Sequence, residues 1–168
     1  MKRSSIQKIT LFFITFISLI SLQSNAQSKA SKRDKDFTLT AGNSIRYSAP
    51  LKGFETDFNY GVGVYLDMDY KLTKGLSLRG DFGWNVFKGK RVSDYTITPD
   101  MNDWEFSGGL KYKLSILYVE ALAGYRTGFE SVTYAPGAGI EVGNFNIGAN
   151  YNIIDKDRFV SYKLTFFW

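Results

Sequence analysis

From residue 37 onward, apolar and polar side chains alternate along the chain. Between residues 58 and 72 the even positions are Phe58, Tyr60, Val62, Val64, Leu66, Met68, Tyr70 and Leu72. The odd positions are Asn59, Gly61, Gly63, Tyr65, Asp67, Asp69 and Lys71. A period of two places successive side chains on opposite faces of a strand, whereas on a helix the same apolar residues would encircle the axis. Seven further segments repeat the pattern. The first carries Phe37, Leu39, Ala41, Ile45 and Tyr47 on one face, with Asn43 its one misfit, and the third carries Leu76, Leu78, Phe82, Trp84 and Val86. The fourth carries Trp104, Phe106, Leu110, Tyr112 and Leu114, and the fifth Leu117, Val119, Ala121, Ala123 and Tyr125. The sixth carries Tyr134, Ala138, Ile140 and Val142, and the seventh Phe145, Ile147, Ala149, Tyr151 and Ile153. Val160, Tyr162, Leu164, Phe166 and Trp168 complete the eighth. Eight strands are thus predicted. Pro136 lacks the donor that a strand ladder needs, which predicts a bulge there or full pairing only beyond it.

The charges sort by face. Thirteen fall within these segments: Arg46, Asp67, Asp69, Lys71, Arg79, Asp81, Glu105, Lys111, Lys113, Glu120, Arg126, Glu141 and Lys163. All lie opposite the apolar face. A soluble lipocalin-like barrel would turn the apolar face inward, and a membrane barrel would turn it outward. Seventeen aromatic side chains lie on that face, more than the interior of an eight-stranded barrel can hold. The polar face carries Gly42, Gly61, Gly63, Gly83, Gly109, Gly124, Gly137, Gly139 and Gly148. Glycines weaken a water-facing strand, but in a narrow lumen they make room for large side chains. The expected architecture is an all-β, eight-stranded, antiparallel up-and-down transmembrane barrel over residues 37–168. Its lumen would be plugged by a charge network of seven basic and six acidic residues. Aromatics toward the strand ends are candidates for two membrane-interface girdles: Phe58, Tyr60, Tyr70, Trp84, Trp104, Tyr112, Tyr125, Tyr134, Tyr151, Tyr162 and Trp168.

Connections are expected to alternate in length. Residues 73–75, 115–116 and 143–144 are short, whereas 48–57, 88–103, 127–131 and 154–158 are longer. Short turns would face the periplasm and long loops the exterior, with both termini on the short-turn side.

The N-terminus reads as an address. Lys2, Arg3 and Lys8 precede the uncharged run Ile9–Leu22, and small residues follow at Ser24 and Ala26. That is the layout of a secretory signal peptide, residues 1–26, with cleavage before Gln27. At about 1.5 Å per residue the run is too short for a helix to cross a bilayer. Residues 27–36 form a polar arm, expected to be flexible and periplasmic. The mature chain would therefore sit in the outer membrane.

Composition narrows the chemistry. The 168 residues carry 21 Lys and Arg against 16 Asp and Glu, a net charge of +5, with no His and no Cys. Disulfides, thiolate or imidazole metal sites and Ser-His catalysis are excluded. Three of the excess positive charges belong to the leader and two to the arm, so residues 37–168 are neutral. No nucleic-acid partner is implied, and no cofactor.

The final segment, Val160-Ser161-Tyr162-Lys163-Leu164-Thr165-Phe166-Phe167-Trp168, alternates and ends on an aromatic. It resembles the C-terminal signal by which outer-membrane barrels are recognised by their insertion machinery, carried here by Tyr162, Leu164, Phe166 and Trp168. Residues 37–168 as a whole resemble the small eight-stranded outer-membrane barrels of the OmpX and OmpA transmembrane-domain type. That resemblance implies contact with outer-membrane lipids and lipopolysaccharide. It also implies a structural, adhesive or partner-binding role rather than catalysis.

Other chemistry is thinly supported. Glu120 or Glu141 could act as a base in a lipid enzyme without histidine, but both suit charge partnership with Arg79, Arg126 or Lys111 better. The loop 88–103 combines Lys88, Lys90 and Arg91 with Asp94, Asp100 and Asp103, and is the candidate surface for an extracellular partner. It lacks calcium-loop spacing. Gly61-Val62-Gly63 and Gly137-Ala138-Gly139 precede no helix pattern and so make no nucleotide loop. A narrow pore and a soluble periplasmic binder of an apolar ligand stand as alternative functions.

Overall fold

A computed structural model describes residues 38–93 and 96–168. The leader, the arm and Phe37 lie outside the described residues, as do Asp94 and Tyr95. Ten strands form: β1 (Leu39–Pro50), β2 (Phe58–Lys71), β3 (Leu76–Gly89), β4 (Arg91–Ser93), β5 (Thr96–Ile97), β6 (Met101–Leu114), β7 (Leu117–Arg126), β8 (Ser131–Val142), β9 (Phe145–Ile154) and β10 (Asp157–Phe167). Eight of them close into one antiparallel barrel in the order β1-β10-β9-β8-β7-β6-β3-β2, and β4 and β5 make a small separate hairpin in the loop between β3 and β6. The last step of closure pairs β1 with β10 from Gly42↔Phe167 to Pro50↔Phe159.

The alternation in sequence becomes an alternation of sides. Ile45, Val62, Val64, Leu110, Val119 and Ile147 point outward and are exposed, while Arg46, Asp67, Arg79, Lys111 and Glu120 point inward and are buried. A soluble protein would bury the first set, so the fold is apolar outside and polar inside, the arrangement of a transmembrane barrel. Close approach explains the inward glycines. A Cβ at Gly83 would collide with the ring of Tyr65, which lies across it inside the barrel.

Two expectations are corrected, and that for Pro136 is met in its second form. There is no bulge at Pro136: β8 keeps unbroken register with β7, pairing Ala121 with Pro136. Toward β9 the pairs Tyr134↔Ile153 and Gly137↔Asn150 keep one register across a gap at 135–136, so the missing N–H removes local pairing and full pairing on this side runs only from Gly137. The connection 154–158 is a two-residue turn, since β9 runs to Ile154 and β10 starts at Asp157. Asp155 there takes φ 47°, as Ser115 (60°) and Gly143 (58°) do at the first position of the other two-residue turns. The loop 88–103 is trimmed at both ends, because β3 continues to Gly89 and β6 begins at Met101.

Replacing Gly83 by Val is expected to destabilise the barrel by about 1–3 kcal/mol through overpacking against Tyr65. Urea unfolding of the refolded protein, with heat-dependent gel mobility as the check on folding, measures this. An unchanged midpoint would mean that the ring can move aside freely.

Candidate functional site: a charged lumen with unlike ends

Buried charge needs partners, and the lumen supplies them in three layers along the barrel. In the middle, Arg46 from β1 bonds Asp67 at 2.8 Å and Asp81 at 2.5 Å through Nη2. Arg79 from β3 reaches Asp81 at 2.9 Å, Asp67 at 3.0 Å and Asp69 at 3.3 Å. Lys163 from β10 pairs with Glu120, which also accepts from Asn150 Nδ2 at 2.7 Å. Thr165 donates its hydroxyl to Asp67 at 3.0 Å. These residues come from strands far apart in the chain and meet only because the barrel is closed.

Toward the loop end, Arg126 from β7 binds Glu105 at 2.6 Å and Asp103 at 2.9 Å. Tyr65 donates to Glu105 at 2.6 Å and accepts from Asn85 and Arg126. Asp103 was expected in the exposed loop, but the early start of β6 turns it inward, and it is fully buried. Its other oxygen accepts from Gly128 N–H at 2.9 Å, tying the β7–β8 turn to the lumen.

Above this layer lies an apolar cluster that alternation alone did not reveal. Phe54, Phe87, Ile154 and Phe159 are buried together, with Phe58, Met101 and Phe129 packed against them. Phe54 comes from a short 3-10 turn, Phe54–Thr56, in the β1–β2 loop, and is 1% exposed. Gly53 makes that turn possible with φ 87°, where a side chain would be strained. The Phe54 ring lies 4.7–5.3 Å from those of Phe58, Phe87, Phe129 and Phe159. The Arg126 guanidinium sits beneath, 4.9 Å from the Phe159 ring and 5.6 Å from Phe87. The available signal was that Phe87 and Phe159 break the alternation by placing aromatics on the polar parity.

This cluster corrects Phe58 as a girdle residue. The register of β2 against β3 shifts between Phe58 and Tyr60, and the irregularity turns the Phe58 ring inward.

At the turn end the lumen opens into a polar cavity. Lys111 binds Asp69 at 2.7 Å and also Glu141, and Lys113 binds Glu141 at 2.5 Å. Lys71 lines the same opening, a cavity of about 360 Å³. All thirteen lumen candidates therefore face inward, with Asp103 added. Both candidate bases are engaged: Glu120 by Lys163 and Asn150, and Glu141 by the two lysines. Among the described residues no group of His, Cys, Asp and Glu could hold a metal ion.

Outside, the aromatics fall into two unequal bands. Tyr60, Trp84, Trp104, Tyr125, Tyr134, Tyr151 and Tyr162 point outward in the half nearer the loops. Tyr112, Phe145, Phe166 and Trp168 point outward at the turn end, and Tyr70 lies there at the end of β2. Tyr47 stacks on Tyr60 at 6.2 Å, and Phe82 on Trp104 at 5.5 Å. Leu164 shares the outward face with Tyr162 and Phe166. In the trimmed loop, Lys88 clasps Asp100 at 2.6 Å, and Gly89 N–H donates to the same carboxylate at 3.0 Å.

The fold and this lumen define a small, closed eight-stranded transmembrane β-barrel, apolar outside and charged inside. Solved structures of that fold are similar to it. The crystal structure of Ail, the attachment invasion locus protein of Yersinia pestis, matches with a TM-score of 0.54 at 15% identity, covering 80% of this chain and 100% of Ail. Ail in a phospholipid bilayer nanodisc matches with a TM-score of 0.51 at 18% identity, over 78% of this chain and 100% of that one. Ail in complex with the heparin analogue sucrose octasulfate gives 0.50 at 17% identity, over 77% and 97%. No protein-family model and no curated protein matches the chain.

Two outcomes are expected. Arg126→Met should destabilise the barrel by about 3–5 kcal/mol in urea unfolding, because it strands two buried carboxylates. A loss under 1 kcal/mol would show that they find other partners. At the surface, the hydrogen bond from Lys88 and then that from Gly89 hold the Asp100 carboxyl below its ordinary value. Unfolding releases both bonds, so their contribution is complete above the ordinary carboxylate range and is lost as pH falls through the depressed value. NMR titration should place Asp100 below about 3.9, the ordinary value, and Lys88→Gln should raise it.

Proposed function

We propose that the chain is an integral outer-membrane barrel that acts as a rigid anchor, with its extracellular loops as a structural, adhesive or partner-binding surface. What supports this reading is the packing inside the barrel, an aromatic cluster centred on Phe54 above a network of paired charges; we infer from it that the lumen is filled. A barrel so filled offers small solutes no clear path, and the loops are what it presents to the outside. The loop proposed for partner contact is that between β3 and β6, where Lys88 and Asp100 pair at 2.6 Å. Ail, a structural neighbour named for attachment and invasion, supports an adhesive role by its shared fold. Both candidate bases act here as charge partners, so the role proposed is not enzymatic.

In this proposal a signal peptide directs export, the insertion machinery reads Tyr162, Leu164, Phe166 and Trp168, and the two aromatic bands settle at the lipid and lipopolysaccharide interfaces. The arm lies in the periplasm with the short turns.

Membrane fractionation tests the location: the mature chain should appear in the outer membrane with heat-dependent gel mobility, and recovery in the soluble periplasm would defeat the proposal. Planar bilayers test the filled lumen. Refolded protein should give no discrete conductance steps, and Phe54→Ala should remain silent because the charge network below it stays paired. Regular steps from the unmodified protein would overturn the filled lumen in favour of a narrow pore.

A further inference from the structure

Charge is not spread evenly along the lumen. At the loop end Arg126 faces two carboxylates, Asp103 and Glu105. In the middle, Arg46, Arg79 and Lys163 face Asp67, Asp81 and Glu120, three against three. At the turn end the balance reverses. Asp69 and Glu141 are the carboxylates lining the cavity there, and they are already held by Lys111 and Lys113. Lys71 and Lys74 line the same cavity, and neither has a carboxylate within ion-pair distance among the described residues. Among the described residues the cavity thus carries two positive charges in excess.

Its shape suits a ligand. The opening of about 360 Å³ is lined almost wholly by polar side chains, including the hydroxyls of Thr40 and Ser77. At about 30 Å³ per water it has room for a group several times larger than a water molecule. Lys111 and Asp69, paired at 2.7 Å, lie in its wall, and Arg79 of the middle layer reaches the same Asp69 at 3.3 Å. A recess with a net excess of one sign of charge and low-dielectric walls concentrates counter-ions. Lysine ammonium groups and hydroxyls are all donors to oxyanions.

We propose that this turn-end cup binds a multiply charged oxyanion, of the size and charge of a phosphate ester or diphosphate. Lys71 and Lys74 supply the uncompensated charge, and Thr40 and Ser77 supply neutral donors. Lys111 keeps Asp69 and Glu141 occupied, so they do not repel the anion. The site is independent of whatever the loops contact.

The test uses the mature chain refolded in zwitterionic detergent, titrated calorimetrically with sodium pyrophosphate at low ionic strength without divalent cations. Saturable binding to the unmodified protein is expected. Lys71→Gln/Lys74→Gln should weaken it by roughly tenfold or more, as loss of two uncompensated charges in a recess requires. Lys88→Gln, at the opposite end, should leave it unchanged. Gel mobility confirms that each variant is folded. No saturable binding, or equal binding by Lys71→Gln/Lys74→Gln, overturns the proposal.

Discussion

Closure of the hydrogen-bond ladder is the constraint on which everything else depends. In hydrocarbon an unpaired backbone N–H or carbonyl has no water to turn to, so a sheet in a membrane must have no edge. Here the edge disappears where β1 pairs with β10, nine residue pairs long, and the final backbone N–H of Trp168 reaches Ala41 at 2.9 Å. Closing on eight strands also fixes the width of the lumen. The interior is then just large enough for side chains to fill. Every large inward group therefore needs a small neighbour, as Tyr65 needs Gly83.

The second consequence is electrostatic. Once polar residues are forced inward, their charges are removed from bulk water and must neutralise one another locally. Arg46, Arg79 and Lys163 do so with carboxylates contributed by β2, β3 and β7. Such pairs are weak evidence for net stability, since desolvation opposes their attraction, but breaking one leaves an uncompensated buried charge. The network therefore specifies register: a one-residue slip would turn every charge toward lipid.

The two ends differ because different chain segments reach them. At the loop end the chain has spare length, and Gly53 lets the β1–β2 loop fold Phe54 back over the lumen. At the turn end the connections among the described residues are short, and lysines and hydroxyl-bearing side chains line the opening.

The sequence by itself determined the number of barrel strands, their sidedness and the face on which the charges fall, because a period of two is a local property and each residue's face follows from its parity. It also pointed to the outward aromatics, apart from Phe58. Tertiary structure decided which charges pair, since Lys163 and Glu120 are 43 residues apart and meet only across a closed lumen. It also decided where strands end. Asp103 became a lumen carboxylate because β6 starts earlier than the loop-like composition suggests. Phe58 turned inward because one bulge reverses parity, and Pro136 caused no bulge because neighbours on both sides hold its strand in register. The aromatic cluster around Phe54 left only a faint trace, two phenylalanines on the polar parity. Its parts lie on a turn, three strands and a loop, and only closure of the barrel brings them together.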